Sequence, residues 1–432
     1  MVFPLDRTNV FRLKPTKQQE QMLIKLCRLS VALWNSINYK RRQSLIKGSF
    51  TWDVSDVIGR FSDVLGKSIT WRIVKKNNST WKAYFALRKK NKGSKVGLPR
   101  YWKSRDKNAS WDTILRTEIG RNDYEIVWGT NHRKSYLIIN WPPGEQLKIR
   151  INGNPRWSGY FGRIEIVYDG VTKRWYCYQF VASDHVPELK KNSTKKCYVD
   201  LGVVNIITSW IEDSSKIIAY SGRPLLGDWW YWTRRIARYQ SALNKRGIKT
   251  SRKLRLLYRK REKRFKQTIN TIVHRFVKYC HENGVSEIIV GDIHNIREDI
   301  KTRSKKINAL LFNFWEYNYI INRLKVTAEN FGIDIRFIDE KGTSSYCIRC
   351  GSRNIIRKGR LVKCNSCGLE AHRDVVGVLN IAMRYSNKRP RKLIAHPFVI
   401  SILPRPFLPK KREDDNTIKL DIQPTDFMRN IK

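Results

Sequence analysis

Four of the eight cysteines in the chain fall into one cluster, Cys347-x2-Cys350 and Cys364-x2-Cys367, with 13 residues between the pairs. Two such knuckles bring four thiolates into the tetrahedral shell of a closed, structural Zn²⁺ site. Gly351 and Gly368 each follow a knuckle, and glycine lets the backbone curl around the metal. A disulfide framework would need an oxidising compartment, and nothing in the sequence points to export. Cys27, Cys177, Cys197 and Cys280 lie singly in apolar stretches and read as packing residues. The acids offer a second chemistry. Asp200 lies in Tyr198-Val199-Asp200-Leu201-Gly202-Val203, at the centre of an expected buried strand, where an unpaired carboxylate demands a cation. Asp374 opens an expected helix after His372-Arg373, and helix capping is its plainest role. Two carboxylates converging from separate elements could instead hold two Mg²⁺ for phosphodiester hydrolysis, a site that needs a third acidic ligand.

Acids are scarce in this chain. Its 432 residues carry 86 Lys and Arg against 37 Asp and Glu, a formal net charge of +49. Such a surplus repels itself unless a polyanion neutralises it. Nucleic acid is the natural partner, because each phosphate paired with Lys or Arg releases condensed counterions. An anionic membrane fits poorly, since the basic residues are spread along the chain rather than gathered on one amphipathic helix. No apolar run reaches the roughly 18 residues of a spanning helix, and the opening MVFPLDRTNVFRLKP lacks a secretory layout. A soluble intracellular protein with no membrane partner is expected. The 15 Trp, 19 Tyr and 16 Phe are interleaved with cations, as in Trp71-Arg72, Trp81-Lys82 and Tyr101-Trp102-Lys103. Rings beside cations suit unpaired bases or structured RNA, although most large apolar side chains go to cores. An apolar content of 41% excludes wholesale disorder, and the length implies two to four domains.

The elements that must position these groups follow from the hydrophobic period. Asn9–Lys14 reads as a short strand. Thr16-Lys17-Gln18-Gln19 is a capping box, and Leu23, Leu26, Ser30, Leu33, Trp34 and Ile37 give helical spacing over 16–45. Residues 45–107 read as mixed helix and loop, and Ser110 to Ala182 as strands. The clearest hairpin is Arg163–Tyr168, the turn Asp169-Gly170, then Arg174–Phe180. This pattern suggests a β-barrel with a helical insert, followed by a polar linker at Glu188–Lys196. Cys197–Trp210 then reads as one buried strand with Lys216–Tyr220 as its hairpin partner. A basic helical region spans Trp232 to Asn283. One face carries Leu254, Leu257, Arg261, Phe265, Ile269, Ile272, Phe276 and Cys280; the other carries Arg259, Lys260, Lys263, Arg264 and Lys266 and is expected to contact nucleic acid. Strand Glu287–Ile293, helix Phe312–Asn330, strand Asp334–Asp339 and a last helix from Arg373 imply an α/β sheet with crossovers. Asn387–Lys432, rich in Pro and Lys, is expected to be a partly disordered tail.

Four motifs in fixed order, DLGVVN from Asp200, TSSYCIRCG from Thr343, CNSCG from Cys364 and HRDVVGVLNIA from His372, resemble the TnpB family. These are transposon-encoded, RNA-guided DNA nucleases related to type V CRISPR effectors and to Fanzor proteins. FRLKPTKQQEQ from Phe11 is similar to the family's opening, so the resemblance covers about residues 9–385. It implies a multidomain α/β protein: a wedge-type β-barrel at 1–15 and 108–190, and an inserted helical recognition domain at 16–107. It further implies an RNase H-like RuvC nuclease domain at 196–342 and 372–385, a zinc ribbon insert at 343–371, and a tail at 386–432. Two-metal DNA cleavage with Mg²⁺ is implied. So are a guide RNA derived from the transposon end and a target DNA, double- and single-stranded, read beside a short flanking motif. The compartment would be cytoplasm and nucleoid in a prokaryote, or nucleus in a eukaryote.

One position departs from the family. Members usually place the middle catalytic Glu at the end of the strand written here Glu287-Ile288-Ile289-Val290-Gly291-Asp292, where this chain has Gly291. Asp292 is adjacent, but successive strand residues face opposite sides, so its expected role is to shape the following loop. Some relatives look as if the Glu has moved to the neighbouring strand, about 4.8 Å away. Glu340 ends such a strand, after Ile335-Arg336-Phe337-Ile338-Asp339. The expected catalytic metal ligands are therefore Asp200, Glu340 and Asp374. Glu316 and Glu329 are explained by the helical pattern alone. Two rival functions remain: a nuclease-dead, guide-RNA-binding repressor, which Gly291 suggests, and a guide-free DNA-binding accessory factor for transposition.

Overall fold

A computed structural model describes residues 5–90, 96–102, 115–129, 134–184, 194–292, 308, 310, 314–340, 342 and 345–404. The chain separates into two compact units, one of Met1–Ser193, Tyr239–Tyr258 and Lys325–Asp334, the other of Thr194–Arg238, Arg259–Leu324 and Ile335–Lys432.

The first unit is built on one antiparallel seven-stranded sheet, in the order β2-β6-β7-β1-β5-β4-β3. Its strands are β1 (Leu5–Lys14), β2 (Arg116–Ile119), β3 (Tyr124–Val127), β4 (Ser135–Ile139), β5 (Leu147–Asn152), β6 (Gly159–Asp169) and β7 (Arg174–Ser183). The strand expected at Asn9–Lys14 is longer, because β1 pairs with β7 from Leu5↔Ser183 to Leu13↔Trp175. Tyr124 of β3 donates to the Gly162 carbonyl of β6 at 2.7 Å and accepts from Gln179 of β7 at 3.2 Å. Those bonds draw the far strand towards the opposite side of the sheet, which is nearly closed and barrel-like. The β6–β7 hairpin is as expected, except that its loop spans 170–173. Asp169 organises that loop, accepting from the Val171 and Thr172 amides.

Three helices lie between β1 and β2: α1 (Lys17–Ile46), α2 (Ser55–Leu65) and α3 (Lys67–Lys90). Both bonds of the Thr16/Gln19 capping box are made, and Leu23, Leu26, Ser30, Leu33, Trp34 and Ile37 are buried as their spacing requires. Trp81 and Trp102 are core residues, while Trp71 stays half exposed.

The second unit carries a six-stranded sheet in the order β12-β11-β8-β9-β10-β16, and a three-stranded ribbon β13-β14-β15. These are β8 (Lys195–Asp200), β9 (Asn205–Ile211), β10 (Ile217–Ser221), β11 (Val285–Asp292), β12 (Asp334–Asp339), β13 (Ile355–Lys358), β14 (Leu361–Cys364), β15 (Glu370–His372) and β16 (Phe398–Ser401). The middle pairings are antiparallel from β8 to β10, and β11 runs parallel to β8. The protein is thus a multidomain α/β fold.

Several expectations need correction. The single strand expected at Cys197–Trp210 is two, β8 and β9, reversed at 201–204. Gly202 makes that reversal tight, since a Cβ there would lie 2.9 Å from the Asn205 carbonyl. Asp200 therefore ends a strand rather than sitting at the centre of one. The basic helical region is also two elements, α4 (Arg223–Asn244) and α5 (Arg252–Glu282), with Gly247 at φ +68° between them. Helix α6 (Tyr317–Asn330) starts later than expected, and α7 runs from Arg373 to Ser386. The segment taken for a tail contributes β16, parallel to β10 from Ile218↔Phe398 to Ser221↔Ser401. The linker core at 188–193, residues 103–107 of the expected insert, Ile293, residues 312–313, Thr343-Ser344 and the tail at 405–432 lie outside the described residues.

Candidate metal centre and acidic site

The two knuckles meet. The Sγ atoms of Cys347 and Cys367 are 3.6 Å apart, as are those of Cys350 and Cys364, and all four lie within 4.8 Å of one another. A tetrahedron with Zn–S bonds of about 2.3 Å separates its sulfurs by about 3.8 Å, so the four thiols fit Zn²⁺. Gly351 and Gly368 take φ +73° and +70°, the left-handed backbone expected of them. Burial pushes the Cys347 thiol up to about 12, a cost that a bound cation removes. The Ser352 and Ser366 hydroxyls, 2.8 Å apart, tie one knuckle to the other.

The acidic site is assembled at one end of the six-stranded sheet. Asp200 ends β8, Gly291 lies at the end of the adjacent β11, and Glu340 directly follows β12, the next strand out. Asp374 stands in the first turn of α7, which packs across β8 and β9. A Cβ on Gly377, in the buried face of α7, would lie 2.7 Å from Asp200 Oδ2. Glycine is what lets helix and carboxylate approach so closely.

Glu340 turns inward. A Cβ built on Gly291 would lie 2.5 Å from Glu340 Oε2 and 2.9 Å from Ile381 Cδ1. The carboxylate therefore fills the space that the missing side chain leaves, and its Oε2 is buried. Asp292 accepts a 3.1 Å hydrogen bond from the Tyr317 hydroxyl, and its carbonyl accepts from the Glu340 amide at 3.4 Å.

Asp374 does not cap its own helix. The cap is His372, whose Nδ1 accepts from the Asp374 amide at 3.2 Å. The Asp374 carboxylate is thereby released for other partners: Asn205 Nδ2 at 2.8 Å and Arg360 Nη1 at 3.0 Å. Arg360 sits at the tip of the β13–β14 hairpin, and its carbonyl accepts from the Arg373 amide at 2.7 Å.

The electrostatics are those of crowded acids. Burial, then the Glu340 and Asp374 charges, hold the Asp200 carboxyl well above its ordinary range. Burial raises Glu340 to about 7; Arg373 opposes the shift, and Asp292, Asp339 and Asp374 add to it. Among the described residues the cysteines are the one group drawn into a ligand-sized cluster, and the three carboxylates do not close into a second. Like charges repel, and Asn205 and Arg360 hold Asp374 in place. Glu329 belongs elsewhere, paired with Arg7 at 3.1 Å in the first unit. Glu316 lies near Lys266, Glu262 and Arg261 rather than the acids. Sequence reasoning missed Asn205, Arg360 and His372 as supports. Only Asn205, inside DLGVVN, and His372, opening HRDVVGVLNIA, lay within quoted motifs.

Comparison with known proteins fits this geometry. Residues 178–297 match the family model OrfB_IS605, a probable transposase, and residues 317–381 match the Cas12f1-like TNB domain. A TnpB-like protein of Acidianus two-tailed virus is 27% identical over 414 residues, covering 87% of this chain and 86% of the relative. Over most of its length the chain is thus similar to TnpB-like proteins. It is also 31% identical over 126 residues to the CRISPR-associated endodeoxyribonuclease Cas12f1 of Sulfoacidibacillus thermotolerans, covering 28% of the chain and 27% of that relative. In fold it is similar to Cas12f1 in a cryo-EM structure of a Cas12f1–sgRNA–target DNA complex. That match has a TM-score of 0.55 at 12% identity and covers 88% of this chain and 99% of the other. No helix among the described residues is long and apolar enough to cross a membrane.

Proposed function

We propose that this protein is an RNA-guided DNA endonuclease that cuts beside a short flanking motif, using Asp200, Glu340 and Asp374 as ligands for Mg²⁺. The observation that carries this reading is the buried Asp200 carboxylate, whose strongest charged neighbours are two further acids in a protein of net charge +49. Arg373 and Arg360 offset the crowding only in part, and a bound cation would relieve the rest. An all-oxygen donor set suits Mg²⁺. The strand order β10-β9-β8-β11-β12 with α7 across it supports an RNase H-like RuvC fold for this unit.

When bound, the metal supplies activation of water and stabilisation of the leaving 3′ oxygen. The chain's own residues hold the site open for it. Gly377 admits Asp200, Gly291 admits Glu340, and the His372 cap together with Asn205 aims Asp374. The four cysteines, holding Zn²⁺, fix the ribbon that carries Arg360, a cation able to meet either Asp374 or an incoming phosphate. The barrel-like sheet of 1–15 and 108–190 and the helices of 16–107 are the proposed holders of guide RNA. Exposed rings on the helical segment, Tyr39, Trp52 and Trp71, are available for stacking. Guide RNA from the transposon end and target DNA are the proposed partners, in line with the RNA and DNA named for the Cas12f1 complex.

The test is purification of the full chain with its co-expressed RNA, followed by cleavage of a matched target plasmid in Mg²⁺. The parent should cut, and Asp200→Ala and Glu340→Ala should bind the same RNA and target without cutting. A parent that binds RNA and target but never cuts would return the repressor reading. A protein that purifies free of RNA would return the guide-free reading.

A further inference from the structure

The six-stranded sheet ends in two strands of opposite character. At one end β12 carries Arg336 and Asp339, and charges on an edge strand deter further pairing. At the other end β16 reads Phe-Val-Ile-Ser, without a charge. Phe398 is 64% exposed and Val399 51%. As neighbours in a strand they point to opposite faces of the sheet, so both sides of this edge present apolar surface. Among the described residues β16 pairs with β10 alone, from Ile218↔Phe398 to Ser221↔Ser401. The backbone groups on its outer side are a template for one more strand.

Beyond Pro404, the last described residue, the chain continues to Lys432, and one stretch of it has the pattern of a strand. Thr417-Ile418-Lys419-Leu420-Asp421-Ile422 alternates polar and apolar residues and holds neither Pro nor Gly. Pro404, Pro406 and Pro409 precede it, Asp415-Asn416 supplies turn residues, and Pro424 follows it. One antiparallel register matches apolar to apolar. It sets Ile422 opposite Phe398, Leu420 opposite Ile400 and Ile418 opposite Ile402, with Asp421 opposite Val399 on the other face.

The size of the edge decides between occupants. Two copies paired through four residues each would bury on the order of a few hundred Å², far below the ~1,200 Å² of a stable interface. A tethered segment needs much less, because its effective concentration is about millimolar. The cost of closing the connection 402–416 grows only with the logarithm of its length.

We propose that residues 417–422 dock on the outer edge of β16 as a seventh, antiparallel strand of this sheet. The chain's own tail then covers Phe398 and closes the apolar edge to foreign strands. Asp200, Thr208, Ala219 and Val399 lie in one row across the sheet. β16 therefore ends at the same end of the sheet as the acidic site, and the returning strand carries the rest of the tail away from it.

The test is hydrogen exchange followed by mass spectrometry on the full chain. Amides within 398–401 should exchange at least about tenfold more slowly in the parent than in Leu420→Asp/Ile422→Asp, which sets charges against Ile400 and Phe398. Leu420→Pro/Asp421→Pro should lose the same protection, because successive amides point to opposite sides and one of the two must face β16. Amides of β8 and β9 should exchange alike in all three proteins. Under mild oxidation with diamide, Val399→Cys/Asp421→Cys should close a disulfide within one chain far more readily than Val399→Cys/Asp426→Cys. Equal exchange at 398–401 in the parent and both tail variants would overturn the proposal. Equal disulfide yields from the two cysteine pairs would overturn the register. Protection that rises with protein concentration, together with a doubled mass in light scattering, would assign the edge to a second copy instead.

Discussion

Glu118 and Asp200 are both carboxylates withdrawn from water in a strongly cationic chain, yet their surroundings are opposite. Glu118, on β2 and only 3% exposed, is met by Arg163 Nε at 2.8 Å, Arg72 Nε at 2.9 Å and Lys76 Nζ at 2.7 Å. Glu165 beside it shares Lys76 and pairs with Arg116. These bonds join α3 to β2 and β6 of the first unit. Asp200, at the end of β8, has Glu340 and Asp374 as its strongest charged neighbours. The chain thus neutralises an acid that serves structure with its own cations. At Asp200 the foremost charged neighbours are acids, Arg373 and Arg360 offset them only in part, and the divalent ion of the proposed function would supply the rest. Burying a carboxylate is costly in either place, and the charges set beside it differ.

The widest separation between the two should appear in activity. Asp200→Asn is expected to cut target DNA at less than about a thousandth of the parent rate, measured by plasmid cleavage. Glu118→Gln should keep the parent rate per folded molecule. Equal losses would erase the distinction.

Stability should divide them with opposite signs. Glu118→Gln strands three cations and is expected to cost about 3–5 kcal/mol in urea unfolding. Asp200→Asn, measured metal-free at about pH 8, should be no less stable than the parent, because it removes a charge the fold disfavours. A large loss there would mean that Asp200 is structurally paired after all.

A smaller effect sharpens the acidic side through pH. Glu340 rises from an ordinary 4.5 to about 7 in the folded chain. The folded state therefore favours its proton, and the cost of ionisation is absent below about pH 4.5 and complete above about pH 7. Metal-free protein should lose stability over that window, and Glu340→Gln should flatten the loss. Mg²⁺ should raise the melting temperature more at about pH 8 than at about pH 5. A gain independent of pH would disconnect the metal from these acids.

The smallest expected change concerns fit. Gly377→Ala brings a Cβ to 2.7 Å from Asp200 Oδ2, an overpacking of about 1–3 kcal/mol. Cleavage should fall about tenfold or more, with zinc content and secondary structure retained. A variant that cuts like the parent would show that the helix–strand approach is not needed.

Much of this comparison could be read in the sequence where the signal is local. The cysteine spacing, the Thr16/Gln19 box, β12 and the start of α7 depend on neighbours a few residues away, and each was legible. The Glu118 network was not, because Arg72, Lys76 and Arg163 are brought to it only by tertiary folding. Asp200 was placed mid-strand because an apolar run hides the reversal at Gly202. Strand β16 was hidden in a Pro- and Lys-rich segment, since its pairing is imposed by β10. The basic face of α5 was read as free for nucleic acid, but part of it is internal. Arg264 of that face pairs with Asp228 at 2.6 Å. That Glu340 stands in for an acid at position 291 is an expectation from the motif and part of the proposed function. The structure adds one packing fact, that the Glu340 carboxylate occupies the space beside Gly291.

The claim that Asp200, Glu340 and Asp374 share a divalent ion is tested most directly by Mn²⁺ titration followed by electron paramagnetic resonance on the parent, Glu340→Gln and Asp292→Asn. The parent and Asp292→Asn should bind the ion alike, and Glu340→Gln should bind it at least about tenfold more weakly. Parent-like binding by Glu340→Gln, with the loss appearing in Asp292→Asn instead, would contradict the account.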